Sequence, residues 1–187
     1  MRARKLTRSI AWAVCLSLLG SLMMPGVSQA KTAGEIDASV NAVLDRFTKQ
    51  VKGSGTLLEA AKGVLVFAGV IKAGIGIGGE YGEGAMRIHG KTAAYYSIAA
   101  ASIGLQLGAQ KKDIIIVFLQ DEALRKFQAS DGWKVGVDGS VVLIDLGAGA
   151  SIDTSKINEP IVGFVIGQKG LMYNLTLEGS KISKLKK

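Results

Sequence analysis

The amino-acid sequence predicts an α+β domain in which N-terminal helices precede a glycine-rich, mainly antiparallel β-sheet, curled or barrel-like in form. The first observation behind this is a change of period. Apolar residues recur at steps of three and four up to about residue 62, and at every second residue in much of the chain beyond it. The second is a change of composition, because 22 of the 25 glycines lie at or after residue 53.

Residues 1–30 have the pattern of a secretory signal. Four basic residues within positions 2–8 precede an apolar run over 10–19, and Ser28-Gln29-Ala30 forms a small-residue cleavage site. The alternative is an uncleaved anchor, since the apolar helix could extend to Met24. Cleavage after Ala30 predicts an exported, periplasmic protein, peripheral on a membrane.

The charge of the chain is concentrated at its two ends. The 187 residues carry a formal charge of +8. Four of the 23 basic residues lie in the leader and four more in the last seven residues, where no acid occurs, so residues 31–180 are neutral. A neutral body argues against a nucleic-acid partner, which would need a basic face on the fold itself. The terminal lysines are either solvated or assist binding to an anionic surface.

Few residues are available for covalent or metal chemistry. The only cysteine, Cys15, lies in the leader, which leaves residues 31–187 without disulfides or thiolates. The only histidine, His89, excludes a zinc site of the usual Cys/His kind. We therefore expect no enzyme, no metal site and no cofactor.

Three motifs resemble catalytic or nucleotide-binding loops but lack the required context. Gly74–Gly79 matches G-x-G-x-x-G, yet neither a helix nor an acid about 20 residues further on follows it. Residues 85–92 fit a relaxed Walker A pattern, but bulky side chains occupy positions where phosphate needs bare backbone. His89-Gly90-Lys91 is better explained as a hairpin turn. Ala100–Gly104 resembles a nucleophile elbow but lies in the middle of a predicted strand.

Two helices are predicted before the sheet. Residues 35–52 have one apolar face, and Gly53-Ser54-Gly55 ends the helix. A second helix is predicted over 56–62, with Thr56 as its N-cap and Glu59 completing a capping box. The apolar face of the first helix either packs on the domain or lies in a membrane interface. Its polar face is mixed in sign rather than lysine-rich, which favours packing.

The remaining elements are predicted from alternation and from short β-branched runs. Strands are predicted at 103–109, 114–119, 133–146, 161–166 and 171–177, with a helical segment at 121–128, a loop at 151–160 and a hairpin loop at 167–170. Leu124 and Phe127 are expected to point inward from the helical segment. Asp138-Gly139 leaves the strand over 133–146 open to a second interpretation, because this pair often forms a hairpin turn.

One predicted strand has an unusual face. Its even positions from 74 to 84 are Gly74, Gly76, Gly78, Glu80, Gly82 and Gly84. Side chains alternate across a strand, so one face is nearly bare backbone. A bare face indicates close approach by something else. This is either another protein element or a flat, apolar ligand such as an acyl chain.

Four segments together resemble the SYLF domain family, a lipid-binding module also described as an actin-regulator domain in yeast. They are Lys72–Gly84, Tyr95–Gln110, Gly132–Leu143 and Pro160–Ile182. The resemblance makes 31–187 a single domain, with a helical part to residue 62, a mainly β part over 63–182 and a basic tail over 183–187. It implies binding of acidic membrane lipids (phosphoinositides in eukaryotic relatives), no catalysis, and a continuous strand over Gly132–Leu143.

The expected partner is an anionic phospholipid or membrane surface. The alternative is a structural or protein-interaction module of the cell envelope that binds no lipid directly. The resemblance identifies no lipid-contacting residues, so charge near the glycine-rich strands and in the tail selects the candidates. These are Lys72, Arg87, Lys91, Lys111, Lys112, Lys181, Lys184, Lys186 and Lys187.

Overall fold

A computed structural model describes residues 30–144, 151–152, 157–169 and 177–187. Side chains at 75–76, 102–108 and 168–169 are outside this description. The predicted leader and nearly all of the predicted strand at 171–177 also lie outside the described residues. Lys31–Lys187 form one compact unit.

Helices stand at the N-terminal side of a curled, mostly antiparallel sheet, so the predicted α+β class is confirmed. The elements are α1 (Ala33–Gln50), α2 (Ser54–Ala60), β1 (Gly63–Ile88), β2 (Lys91–Phe118), α3 (Asp121–Ala129), β3 (Trp133–Lys134), β4 (Val142–Ile144), β5 (Ile161–Lys169) and β6 (Lys181–Leu185). The predicted turn between β1 and β2 is confirmed, with His89 and Gly90 both at positive φ.

The helix α1 begins at a capping box and packs on the sheet. The Thr32 side chain accepts a hydrogen bond from the Glu35 backbone N–H, and the Glu35 carboxylate accepts one from the Thr32 N–H. The apolar face of the helix (Ile36, Val40, Val43 and Phe47) is buried in a cluster with sheet residues. The interpretation that this face packs on the domain is therefore confirmed.

Two sequence predictions were wrong in their local detail. The helix α2 begins at Ser54 and not at residue 56, because Gly53 adopts the left-handed conformation before it, and no side chain caps it. Continuous strand over 132–143 is also wrong. A turn over Lys134–Asp138 separates β3 from β4, with Gly136 at φ 85° and the Asp138 carboxylate accepting a hydrogen bond from the Lys134 N–H.

The sheet is organised around the long hairpin of β1 and β2. These strands pair antiparallel from Gly63 opposite Phe118 to Ile88 opposite Lys91, with register shifts at three places. The other edge of β2 pairs with β6 over Tyr95–Ala99 and with β5 between Lys111 and Phe118. The strand order is β3-β6-β2-β5-β4, with β1 beside β2, and β4–β5 is a parallel pair.

The hairpin is folded back on itself, and its glycines make this possible. A Cβ atom at Gly84 would lie 2.0 Å from the Val66 carbonyl oxygen, and one at Gly82 would lie 2.7 Å from Cγ2 of Val70. The two halves of β1 therefore approach closer than any side chain allows. At these two positions the bare face meets another protein element, as the first alternative predicted, and an acyl chain has no room there.

Candidate membrane-binding surface

The middle of the long hairpin buries three charged side chains (Lys72, Glu80 and Lys112) and exposes large apolar ones. We call residues 70–81 of β1 and 99–112 of β2 the hairpin bend. Among the described side chains of β1 here, Lys72 and Glu80 point into the fold, and the odd-numbered ones point out. Ile71, Ile77 and Tyr81 are 55%, 74% and 53% exposed. Soluble domains normally arrange these residue types the other way round, so the bend is a candidate interaction surface.

The inner side of the bend holds a buried ion pair. Lys112 Nζ lies 3.0 Å from Glu80 Oε2, and their side chains are only 1% and 6% exposed. Lys72 is buried near the same end of the bend. Among the described residues, Glu80 Oε1 has no hydrogen-bond partner. The charges of Glu80 and Lys112 therefore compensate each other inside the fold.

The described outer residues of the bend are apolar on both strands. Tyr81 pairs with Ala99, Gly79 with Ala101, Ala73 with Ala109 and Ile71 with Lys111. We call the exposed residues Ile71, Ala73, Ile77, Gly79, Tyr81, Ala99, Ala101 and Ala109 the apolar face. It lies on the α1 side of the sheet, because Ala85, four residues after Tyr81, is buried in the cluster that contains α1.

Exposed lysines stand at both ends of the apolar face. Lys111 is the partner of Ile71 across the hairpin. At the other end, Lys181 of β6 pairs with Ala99, which in turn pairs with Tyr81. Both lysines were predicted from charge alone, and the structure places them beside apolar residues that face solvent.

The other predicted lysines and the arginine fall into two groups. Three lysines are exposed but lie away from the strand pairing that links Lys181 to Tyr81 through Ala99. They are Lys91 at the hairpin turn and Lys184 and Lys186 near the C-terminus. Lys72 and Lys112 are buried, and the side chains of Arg87 and Lys187 are 12% and 13% exposed with acidic partners at 3.2 and 3.3 Å. These four side chains are not available to an outside surface.

Arg87 belongs to a polar cluster that fastens α1 to the hairpin. Asp37 of α1 accepts hydrogen bonds from Thr92 Oγ1 at 2.7 Å and Tyr95 Oη at 2.9 Å, and Arg87 Nη2 lies 3.2 Å from it. Burial by itself raises the pKa of Asp37, but the two hydrogen bonds and the Arg87 charge outweigh it, so the pKa is lowered overall.

This lowered pKa predicts acid sensitivity. A carboxylate with a lowered folded-state pKa stabilises the fold above its unfolded value of about 3.9, and the contribution disappears as pH falls through the folded value. We expect Asp37→Asn to lower the melting temperature at pH 7 and to reduce the further drop between pH 5 and pH 3. Circular dichroism melts across this range measure both effects. Parallel melting curves for the two proteins at every pH would contradict this role of Asp37.

A cationic cleft opens between α1 and the sheet beside Lys111. Its volume is about 320 Å³, and its lining includes Lys31, Arg46 and Lys111 against one carboxylate, Asp113, while the charge of the lining residue Lys112 is paired with Glu80. That carboxylate accepts a hydrogen bond from the Gly69 N–H at 2.7 Å and pairs with Arg46 at 2.6 Å. The excess of positive charge makes this cleft suitable for an anion next to the apolar face.

A second recess, near Trp133, has the opposite charge. It measures about 420 Å³ and is lined by Glu122, Asp138 and Glu159 with a single lysine, Lys126. An anionic ligand would meet three carboxylates there. This recess is therefore not a candidate for acidic lipid.

Within the described part of the chain, no helix has the length and hydropathy needed to cross a membrane. In the same residues, no group of three or more His, Cys, Asp or Glu side chains is placed to hold a metal ion.

The structure defines a curled-sheet α+β domain with an apolar, lysine-flanked surface. The model of the Ysc84 family, described as "Las17-binding protein actin regulator", matches residues 99–187. Residues 99–187 therefore match the Ysc84 (SYLF) family, and the resemblance seen in the sequence is confirmed over these residues. No curated protein matches the sequence.

Proposed function

We propose that this protein is a non-enzymatic, exported module that binds anionic phospholipid at a bacterial envelope membrane through the apolar face and its flanking lysines. The observation that carries the proposal is the reversed polarity of the hairpin bend, with Ile71, Ile77 and Tyr81 exposed while Lys112 and Glu80 are buried. Insertion of such a surface into the boundary between headgroups and acyl chains is favourable in free energy.

Two weak contributions add up on this surface. Burying an isoleucine side chain is worth about 1.5–3 kcal/mol relative to leaving it exposed. Each lysine near an anionic membrane adds about 1 kcal/mol. In the proposed arrangement Ile71, Ile77 and Tyr81 supply the apolar part, Lys111 and Lys181 supply the electrostatic part, and the cationic cleft beside Lys111 accepts a lipid phosphate.

The second candidate function is recruitment of a protein partner by the same face. The description of the family names Las17 binding, which is a property of the described relatives. An exposed apolar face of this kind also fits a protein interface. Binding to pure lipid vesicles, with no protein present, separates the two functions.

The test is co-sedimentation of the processed protein with vesicles. Vesicles of neutral lipid alone are compared with vesicles that contain 30% phosphatidylglycerol, at about 50 and 500 mM salt. We expect binding to the anionic vesicles, weakened at high salt because added ions screen the lysines. Absence from both vesicle pellets would contradict lipid binding and favour the protein-partner function.

Lys111 is expected to matter more than a lysine elsewhere on the surface. Lys111→Glu reverses a charge next to Ile71 and at the cationic cleft, so we expect about 30-fold weaker binding to anionic vesicles, equal to about 2 kcal/mol. The matched control is Lys91→Glu, which makes the same change at the hairpin turn. Equal losses in both variants would show that only net charge matters.

A further inference from the structure

The buried carboxylate of Glu83 lies where the two ends of the compact unit meet. Its side chain is 7% exposed. Oε2 accepts a hydrogen bond from the Lys31 backbone N–H at 3.2 Å and lies 3.3 Å from Lys187 Nζ, while Oε1 accepts one from Tyr81 Oη at 3.0 Å. Lys187 Nζ also donates to the Lys31 carbonyl oxygen. The carboxylate thus binds residue 31 through its backbone and not through its side chain.

Residue 31 is also the position directly after the predicted cleavage site. The small residues Ser28-Gln29-Ala30 precede it, and the compact unit begins at Lys31. Before cleavage its nitrogen is a neutral amide with one hydrogen to donate. Hydrolysis of the Ala30–Lys31 bond by a signal peptidase consumes one water molecule, leaves a carboxylate on Ala30 and leaves an ammonium group on Lys31. The same nitrogen then carries a full positive charge and three hydrogens.

We propose that Glu83 is the binding site for the new N-terminus of the processed protein, and that cleavage after Ala30 completes an ion pair which the unprocessed chain lacks. A backbone N–H within hydrogen-bond distance of a nearly buried carboxylate becomes, after cleavage, a charge-assisted pair at the same place. Cleavage one residue earlier or later would move the charge off this nitrogen. The ion pair with Glu83 therefore requires cleavage between Ala30 and Lys31.

The charged groups around the new ammonium determine its titration. Glu83 accepts from the Lys31 nitrogen directly, and Lys187 shares that carboxylate. Glu35 lies near both lysines, the Lys31 side chain is turned away to the Ala68 carbonyl oxygen, and Tyr81 donates to Glu83. An α-amino group normally has a pKa of about 8. The carboxylate raises it, so the pair stabilises the fold below about pH 8 and is lost as pH rises through the higher folded value.

The test uses the full-length chain, exported by a bacterial host and purified after processing. Intact mass and N-terminal sequencing should show Lys31 as the first residue. The α-amine pKa is then measured from the pH dependence of its acylation, with fragment ions separating the α-amine of Lys31 from its ε-amine. We expect a value at least one unit above the ordinary value of about 8 in wild type, and the ordinary value in Glu83→Gln.

Two further proteins complete the experiment. Glu59→Gln removes an exposed carboxylate of α2 and should leave the α-amine pKa at the wild-type value. The second protein has one alanine inserted between Ala30 and Lys31. If cleavage stays after Ala30, the inserted alanine carries the α-amine and the Lys31 nitrogen is an amide, so the α-amine should have the ordinary pKa. This protein provides the test even if Glu83→Gln does not fold. A different first residue, or an ordinary pKa in wild type, would overturn the proposal. The vesicle experiments leave it unaffected either way.

Discussion

Ile77→Asp should weaken binding to anionic vesicles by about 100-fold. The side chain is 74% exposed on the apolar face, so in the proposed complex its transfer from water to lipid contributes about 2 kcal/mol. The new carboxylate loses this term and is also repelled by the anionic surface, which costs about 1 kcal/mol more. A total of about 3 kcal/mol corresponds to the stated factor. Vesicle co-sedimentation at a series of lipid concentrations measures it directly.

The chain provides a closely matched control for this change. Val137 lies in the turn between β3 and β4 and is 76% exposed, almost the same as Ile77. Val137→Asp therefore makes the same change of charge and a similar, slightly smaller loss of apolar surface away from the apolar face. We expect it to bind vesicles like wild type. Equal weakening in the two variants would mean that the hairpin bend has no special role.

Neither aspartate variant should alter the fold. Surface substitutions away from caps, clusters and special backbone positions usually change stability by less than about 0.5 kcal/mol. Thermal melts of the wild type, Ile77→Asp and Val137→Asp proteins should coincide within a few degrees. A large drop in the melting temperature of Ile77→Asp would show that the apolar face is packed inside an assembly in solution, and would replace membrane binding with self-association.

The glycine-rich strand shows what a sequence pattern can and cannot predict. The run of glycines at even positions identified one bare face correctly, because alternation along a strand is local geometry. Which face points inward was not predictable, since a period of two is the same for both sides. The fold-back of β1, in which Gly82 meets Val70 and Gly84 meets Val66, decides this, and it joins residues 12 and 18 positions apart.

The candidate site was predicted only in part for a related reason. Charge selected Lys111 and Lys181 correctly as exposed residues, but it also selected Lys112, whose partner Glu80 is 32 positions away and invisible to local patterns. Sequence reasoning missed Ile71, Ile77 and Tyr81. The sequence did contain a signal for these residues. In the glycine-rich strand, most odd positions that lie between glycines at even positions are apolar.

Lys112→Met should produce a large loss of stability. The substitution keeps most of the apolar volume of the side chain but removes the charge 3.0 Å from Glu80 Oε2. Glu80 is then left without its cationic partner in a site where it is 6% exposed. Leaving one member of a buried ion pair without its partner typically costs about 3–5 kcal/mol. In a domain of this size that corresponds to a drop in melting temperature of about 6–20 °C.

Urea unfolding of a small set of variants distinguishes the loss of a charge from the loss of a lysine. Lys111→Met makes the same change one residue earlier, at an exposed position, and should cost less than about 0.5 kcal/mol. The double variant Lys112→Met/Glu80→Leu removes both charges and should recover most of the stability lost in Lys112→Met, because the penalty comes from the unpaired carboxylate and not from the missing ammonium group. A double variant that is less stable than Lys112→Met would contradict this explanation. It would show that the ion pair itself stabilises the fold, and that the buried charges of the bend do more than accompany the exposure of its apolar side chains.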